Sequence, residues 1–201
     1  MVWLRMLSRL VLMQIMVAAL TLLGLVLLGA APAAAAAARV AGPVRRDEAL
    51  PLVRTMWHTW RALLGAANLA AAPATLLMVA AAGNLLLLSG GGLPLPGPLA
   101  GLLAGVAALI LLLGALVWLV SVVLVGEQGS TASQALRAAV LLPIAFPGTA
   151  LSLLVTLAGA ALIGMIAPVL AVLCGASAVV MATELIVSTR RRILQTHLAA
   201  P

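Results

Sequence analysis

Long apolar stretches dominate the chain, and short polar segments separate them. Residues 10–30 contain only two polar side chains, Gln14 and Thr21, and as a helix they cross the roughly 30 Å hydrocarbon core of a bilayer. Residues 63–88 and 99–125 carry no charge either. The uncharged stretch between Arg137 and Glu184 would be about 69 Å long as one helix, so it must fold back once. The pattern predicts five membrane-spanning helices, at residues 10–30, 63–88, 99–125, 149–164 and 168–186.

Two segments between these spans have an amphipathic pattern. Residues 47–62 are predicted to form an interfacial helix. Its apolar face carries Val53, Met56, Trp57 and Trp60 and is followed by Leu64, and its polar face carries Arg54, His58 and Arg61. Residues 131–142 are predicted to form a second, shorter interfacial helix, capped by Ser130 or Thr131.

The alanine run that follows Pro32, residues 33–38, is a strong helix former but a weak membrane anchor. We therefore expect this segment to leave the bilayer as a helix kinked at Pro32.

Composition supports an integral membrane protein of the all-α class. Apolar residues make up 65% of the 201 residues and charged residues only 7%, and the mean hydropathy is +1.29. Water-soluble domains average about 25% charged residues, which excludes that class here. The net charge is +7. The arginines that produce it lie at the edges of the apolar stretches, where membrane orientation explains them, so no nucleic-acid partner is expected.

Arginine positions predict the orientation of the chain. With five spans and the N-terminus outside, nine of the 11 Arg are cytoplasmic, and Arg5 and Arg9 lie on the wrong side. A re-entrant excursion by the alanine-rich segment would put both ends inside and is the alternative. Cleavage of the N-terminal segment as a secretory signal would leave the basic segments outside, against the positive-inside rule.

Three polar residues within or near the spans are candidates for a substrate path: Asn68, Asn84 and Glu184. Hydrogen bonding between helices is the commoner role of an intramembrane Asn. Glu184 lies one to two turns from Arg190 and Arg191, so pairing or snorkelling toward them is favoured over a proton-coupled function.

A second candidate site is a cytoplasmic surface for a partner or for anionic lipid, formed by Arg54, Trp57, His58, Trp60, Arg61 and Arg137. Anchoring in the headgroup layer is an equally good interpretation of these residues. Small residues at four-residue spacing (Gly97, Gly101, Gly105; Ser152, Thr156, Ala160, Gly164) favour packing inside the bundle over a homo-oligomer interface.

The sequence contains few side chains that could act as catalytic groups. It has four acidic residues, two His and one Cys, Cys174. It has no phosphate-binding loop, nucleophile elbow or paired-carboxylate motif. We therefore expect no catalytic activity, no cofactor and no metal site.

The order of features resembles the YesL family, membrane proteins of bacteria that are defined as a domain of unknown function. The resemblance rests on residues 24–32, on the segment Pro51-Leu52-Val53-Arg54-Thr55-Met56-Trp57-His58-Thr59-Trp60-Arg61, and on residues 134–142 before two closely spaced spans. It departs in the first loop, where alanine replaces the family's Thr and Gly. The resemblance implies a multi-pass protein of the bacterial inner membrane with an accessory role in carbohydrate uptake, beside ABC sugar-transporter subunits.

Overall fold

The computed structural model describes residues 2–90, 97–128 and 130–199. Every regular element in these ranges is helical, which confirms the all-α class. In chain order, the helices are α1 (Val2–Leu23), α2 (Leu27–Arg45), α3 (Leu52–Ser89), α4 (Gly97–Gln128), α5 (Ala132–Ala145), α6 (Pro147–Ile166), the short α7 (Pro168–Leu170), a π-helical turn (Ala171–Gly175) and α8 (Ala176–Ala199).

Six of the described helical segments are long and apolar enough to cross a membrane, judged by length and composition. Many of their large apolar side chains, such as Leu76, Leu86 and Leu102, are exposed, as expected for an outer surface that faces lipid. The chain is therefore a multi-pass membrane protein. The helix added to the five predicted spans is α2, which contains the alanine run.

Helix α2 returns along α1 instead of leaving the bundle. The chain reverses at residues 24–26, where the amide of Val26 donates to the carbonyl of Thr21, and Arg9 near the start of α1 forms an ion pair with Asp47 just beyond the end of α2. The expected exit from the bilayer at Pro32 is therefore wrong. Its premise was that polyalanine must face lipid, whereas residues 31–38 are all buried among other helices.

Helix α2 is the centre of the packing. Its alanine side chains are short enough for neighbouring helices to approach closely, and α1, α3, α4 and α8 all pack against it. At the crossing with α4, Gly126 lies against the backbone of Ala35, and a Cβ on Gly126 would overlap the carbonyl oxygen of Ala35. The core that results contains Met13, Leu20, Met56, Trp60 and Leu116.

The predicted interfacial helix at residues 47–62 is not a separate element. Residues 47–51 precede α3, and residues 52–62 are its first turns; the whole of α3 has 38 residues and is about 57 Å long. Met56 and Trp60 on its apolar face pack into the helical core, so this face contacts protein where contact with the headgroup layer was expected.

The last third of the chain forms a helical hairpin. Helix α6 ends at Ile166, the chain reverses at Ala167, and Pro168 begins the return, inside the turn predicted at residues 164–168. Before it, α5 begins at Ala132 after the predicted cap. The amide of Thr131 donates a hydrogen bond to the Oε1 of Gln134 at 3.3 Å. These breaks follow the Gly and Pro positions of the sequence.

Candidate functional site

Charged residues occur in only four segments of the sequence: 1–9, 39–61, 127–137 and 184–192. Contacts join the second of these to the first, to the fourth, and to Gly126, which directly precedes the third. Arg9 pairs with Asp47 at 2.8 Å, Arg39 donates to the carbonyl of Gly126 at 3.4 Å, and Arg45 pairs with Glu184 at 2.8 Å. Segments that are far apart in sequence therefore assemble into one charged region of the bundle, centred on the end of α2 and the start of α3.

This assembly corrects the preferred orientation of the chain. That arrangement placed Arg5 and Arg9 on the opposite side of the membrane from residues 39–61, whereas Arg9 contacts both Asp47 and the carbonyl of Glu48. The alternative, in which the alanine-rich segment brings the chain back to the side of its start, agrees with the structure. With α1 and α3 starting at the same end, the positive-inside rule is no longer broken.

Glu184 pairs with a residue that sequence proximity did not indicate. Only 6% of Glu184 is exposed, and its Oε2 accepts a hydrogen bond from Arg45 at 2.8 Å. Gly42, one turn before Arg46, lies beside the carboxylate, since a Cβ added there would be 3.5 Å from the Oε1 of Glu184, an ordinary contact distance. The expected partners were Arg190 and Arg191, whose side chains lie outside the described part of the structure. The buried pair holds α8 against the end of α2.

Arg46 and Glu48 form a second, exposed pair beside it. The hydrogen bond from Arg46 to Glu48 raises the pKa of the Arg46 guanidinium above its usual value, and the charge of Glu48 adds to the effect. Surface pairs of this kind contribute little to stability. Their effect here is to neutralise the carboxylate of Glu48.

The first turns of α3 present a basic face to the outside. Arg54, His58 and Arg61 are exposed along it, at the spacing of residues that share one face of a helix. Trp57 is half-buried and stacks on Trp60 with ring centroids 5.6 Å apart, and the Arg61 guanidinium lies 5.9 Å from the Trp57 ring. We call Arg54, His58 and Arg61 the basic face.

Two members of the predicted partner surface do not belong to this face. Trp60 is only 6% exposed and is part of the core, so a partner does not reach it. Arg137 is exposed on α5, whose Leu136 and Val140 lie near Pro73 and Leu77 of α3. Pro73 is about 18 Å along α3 from Arg61, so Arg137 is a separate exposed charge.

The three candidates for an intramembrane path are not brought together. Asn68 donates to the carbonyl of Leu28 at 2.8 Å, Glu184 pairs with Arg45, and Asn84 is exposed near the far end of α3. The contacts give Asn68 and Glu184 a packing role. Among the described residues there is also no group of three or more His, Cys, Asp or Glu side chains that could hold a metal ion.

Asn68 supplies a hydrogen-bond donor that Pro32 makes necessary. The carbonyl of Leu28 would normally accept from the amide of residue 32, but Pro32 has no amide hydrogen. In a membrane, a neighbouring helix must supply the missing donor. The Asn68 side chain does so, and it also donates to the carbonyl of Leu64 in its own helix. Asn68 therefore links α3 to the first turn of α2.

Replacing Asn68 with alanine is expected to lower the free energy of unfolding by about 1–2 kcal/mol, because the Leu28 carbonyl loses its donor. The measurement is unfolding in mixed micelles by titration with dodecyl sulfate, followed by tryptophan fluorescence. Asn84→Ala, on the same helix, is expected to have no effect. In a Pro32→Ala background the loss should shrink, since residue 32 then supplies an amide. An equal loss in both backgrounds would contradict this role.

Comparison with protein-family models gives a match over the first part of the chain. A family model described as "Protein of unknown function, DUF624" matches residues 10–85, a range that contains most of α1, all of α2 and most of α3. Neither the curated proteins nor the solved structures give a match. Over this range the chain is thus similar to a family of unknown function. The matched range includes Pro32, Arg45, the basic face and Asn68. The resemblance to the YesL family stays a prediction.

Proposed function

We propose that this multi-pass membrane protein is a non-enzymatic accessory protein of the bacterial inner membrane, which binds a partner protein through its basic face. The face would lie on the cytoplasmic side, where basic segments collect. The link to carbohydrate uptake, and to ABC sugar-transporter subunits as partners, comes from the resemblance to the YesL family. Similarity to a family of unknown function over residues 10–85 is compatible with this role.

The observation that carries the proposal is the distribution of ion pairs in the charged region. Asp47 pairs with Arg9, Glu48 with Arg46, and Glu184 with Arg45. Arg54, His58 and Arg61 form no ion pair with any side chain that the structure describes. The charges of Arg54 and Arg61 are therefore available to an acidic surface of another protein, and such complementarity sets partner choice and the rate of association.

A small transporter with a path near Asn68, Asn84 and Glu184 is the alternative. A path needs polar groups that are free to contact a substrate. The hydrogen bond of Asn68 to the Leu28 carbonyl and the pairing of Glu184 with Arg45 favour structural roles, and thereby the accessory function.

The test is affinity purification of the tagged full chain from its own membranes in mild detergent, followed by mass spectrometry. We expect transporter subunits to be recovered with the chain, and Arg61→Glu to reduce their recovery roughly tenfold, because a like charge then faces the acidic partner. Arg137→Glu is the matched control: it makes the same charge change on another exposed arginine.

Two results would contradict the proposal. One is recovery of this chain without transporter subunits from the unsubstituted protein, which would make reconstituted flux the next measurement. The other is an equal loss for Arg61→Glu and Arg137→Glu, which would indicate a general effect of net charge in place of a defined face.

A further inference from the structure

A groove of about 510 Å³ lies where the start of α1, the end of α2 and the start of α3 meet. Its walls are mainly apolar and come from all three segments. The apolar side chains include Leu12, Val44, Leu50, Leu52 and Trp57. Arg54 and Trp57 in its wall also belong to the predicted partner surface, and Val44 and Leu52 belong to the helical core.

Three charged side chains line the same groove: Arg9, Glu48 and Arg54. Arg9 is held by Asp47 at 2.8 Å and by the carbonyl of Glu48 at 3.2 Å, and the Glu48 carboxylate is neutralised by Arg46. Arg54 is exposed and has no ion-pair partner among the described side chains. The groove thus offers an anion one unpaired guanidinium, with a second guanidinium beside it.

The groove runs from the charged region toward the surface that faces lipid. Leu12 lies one turn beyond Arg9, in the part of α1 that is apolar enough to cross a membrane. Val53, next to Arg54, is 50% exposed. A ligand that fits a groove with one charged end and one apolar end has a negative head group and an apolar tail. A free anion would use only the charged end and would leave the apolar walls uncovered.

We propose that this groove binds an anionic phospholipid, with its phosphate on Arg54 and part of an acyl chain against Leu12, Leu50 and Leu52. Arginine suits this role because its planar guanidinium donates two parallel hydrogen bonds to a phosphate. Trp57 in the groove wall is typical of the headgroup level. The inference goes beyond the proposed accessory function and does not depend on it, because lipid binding needs no protein partner.

The test is equilibrium binding of fluorescent phosphatidylglycerol to the purified full chain in detergent, with phosphatidylcholine of the same acyl chains as the comparison. We expect tighter binding of phosphatidylglycerol. Arg54→Gln should weaken that binding about fivefold, the effect of one basic residue near a membrane surface. Arg137→Gln is the matched control and should leave the affinity unchanged, because Arg137 is exposed, lies outside the groove and forms no ion pair with a described side chain.

Two further arms examine the apolar part of the groove. Leu50→Trp, which fills the groove without altering its charge, should weaken binding of phosphatidylglycerol. Glycerol 3-phosphate, which has the head without the tail, should fail to displace the lipid. Equal weakening by Arg54→Gln and Arg137→Gln, no effect of Leu50→Trp, or displacement by glycerol 3-phosphate would each overturn the proposal. The assay contains no transporter subunit, so its failure is distinct from failure of the accessory function.

Discussion

Replacing Glu184 with alanine is expected to lower the free energy of unfolding by about 3–5 kcal/mol, more than any other substitution proposed for this protein. The change removes one partner of a buried pair and leaves the guanidinium of Arg45, whose side chain is 25% exposed, without its carboxylate. Because α8 meets α2 at this pair, we expect the docking of α8 to weaken first. Dodecyl sulfate titration followed by tryptophan fluorescence measures the change.

A double variant separates loss of the pair from loss of packing. Arg45→Met combined with Glu184→Leu removes both charges and keeps the volume, so most of the lost stability should return. The matched single control is Glu48→Ala, which removes an exposed carboxylate from the same region and should have little effect. If Glu48→Ala destabilised the protein as much as Glu184→Ala, burial of the Glu184 pair would not explain the result.

Replacing Gly126 with alanine is expected to cost about 2–3 kcal/mol, the second large effect. The added Cβ would overlap the carbonyl oxygen of Ala35, and it would also lie 3.0 Å from the carbonyl carbon of that residue. Backbone atoms cannot rotate away as a side chain can, so α2 and α4 must move apart and lose contacts along their crossing. The same unfolding measurement applies.

Gly105 provides the control on the same helix. A Cβ added there meets no atom within 4 Å, so Gly105→Ala should leave stability unchanged or raise it slightly, since alanine is the better helix former. A loss for Gly105→Ala as large as that for Gly126→Ala would show that both glycines act through helix propensity or lipid contact. The crossing of α2 and α4 would then not be tight at Gly126.

The sequence alone favoured a packing role for Asn68, and for Glu184 pairing or snorkelling toward Arg190 and Arg191, but it did not indicate the partners that the structure gives these two residues. Asn68 acts on a carbonyl 40 residues away, and the one local signal was Pro32, whose missing amide creates the need for a donor. Glu184 lies 139 residues from Arg45, whereas Arg190 and Arg191 are close in sequence. Proximity along a helix is visible in a sequence, and proximity between helices is not.

For the basic face, too, the sequence indicated which residues share a side of the helix but not what that helix packs against. The spacing of Arg54, His58 and Arg61 was sufficient to place them together opposite Met56 and Trp60. Whether that apolar side would meet headgroups or another helix depended on the position of α2. In the structure Trp60 is buried in the core, whereas Arg54, His58 and Arg61 are exposed.

The sequence by itself determined that this is an all-α membrane protein, because the transfer of long uncharged stretches from water to lipid is governed by composition. It also determined that charges occur in four short segments. Only the tertiary structure decided that α2 returns through the bundle and that Arg9, the end of α2 and Glu184 meet in one region. Hydropathy reports the preference of a helix for lipid. An alanine-rich helix enclosed by other helices is instead stabilised by close packing, and this packing depends on several helices at once, so it cannot be read from one segment of the sequence.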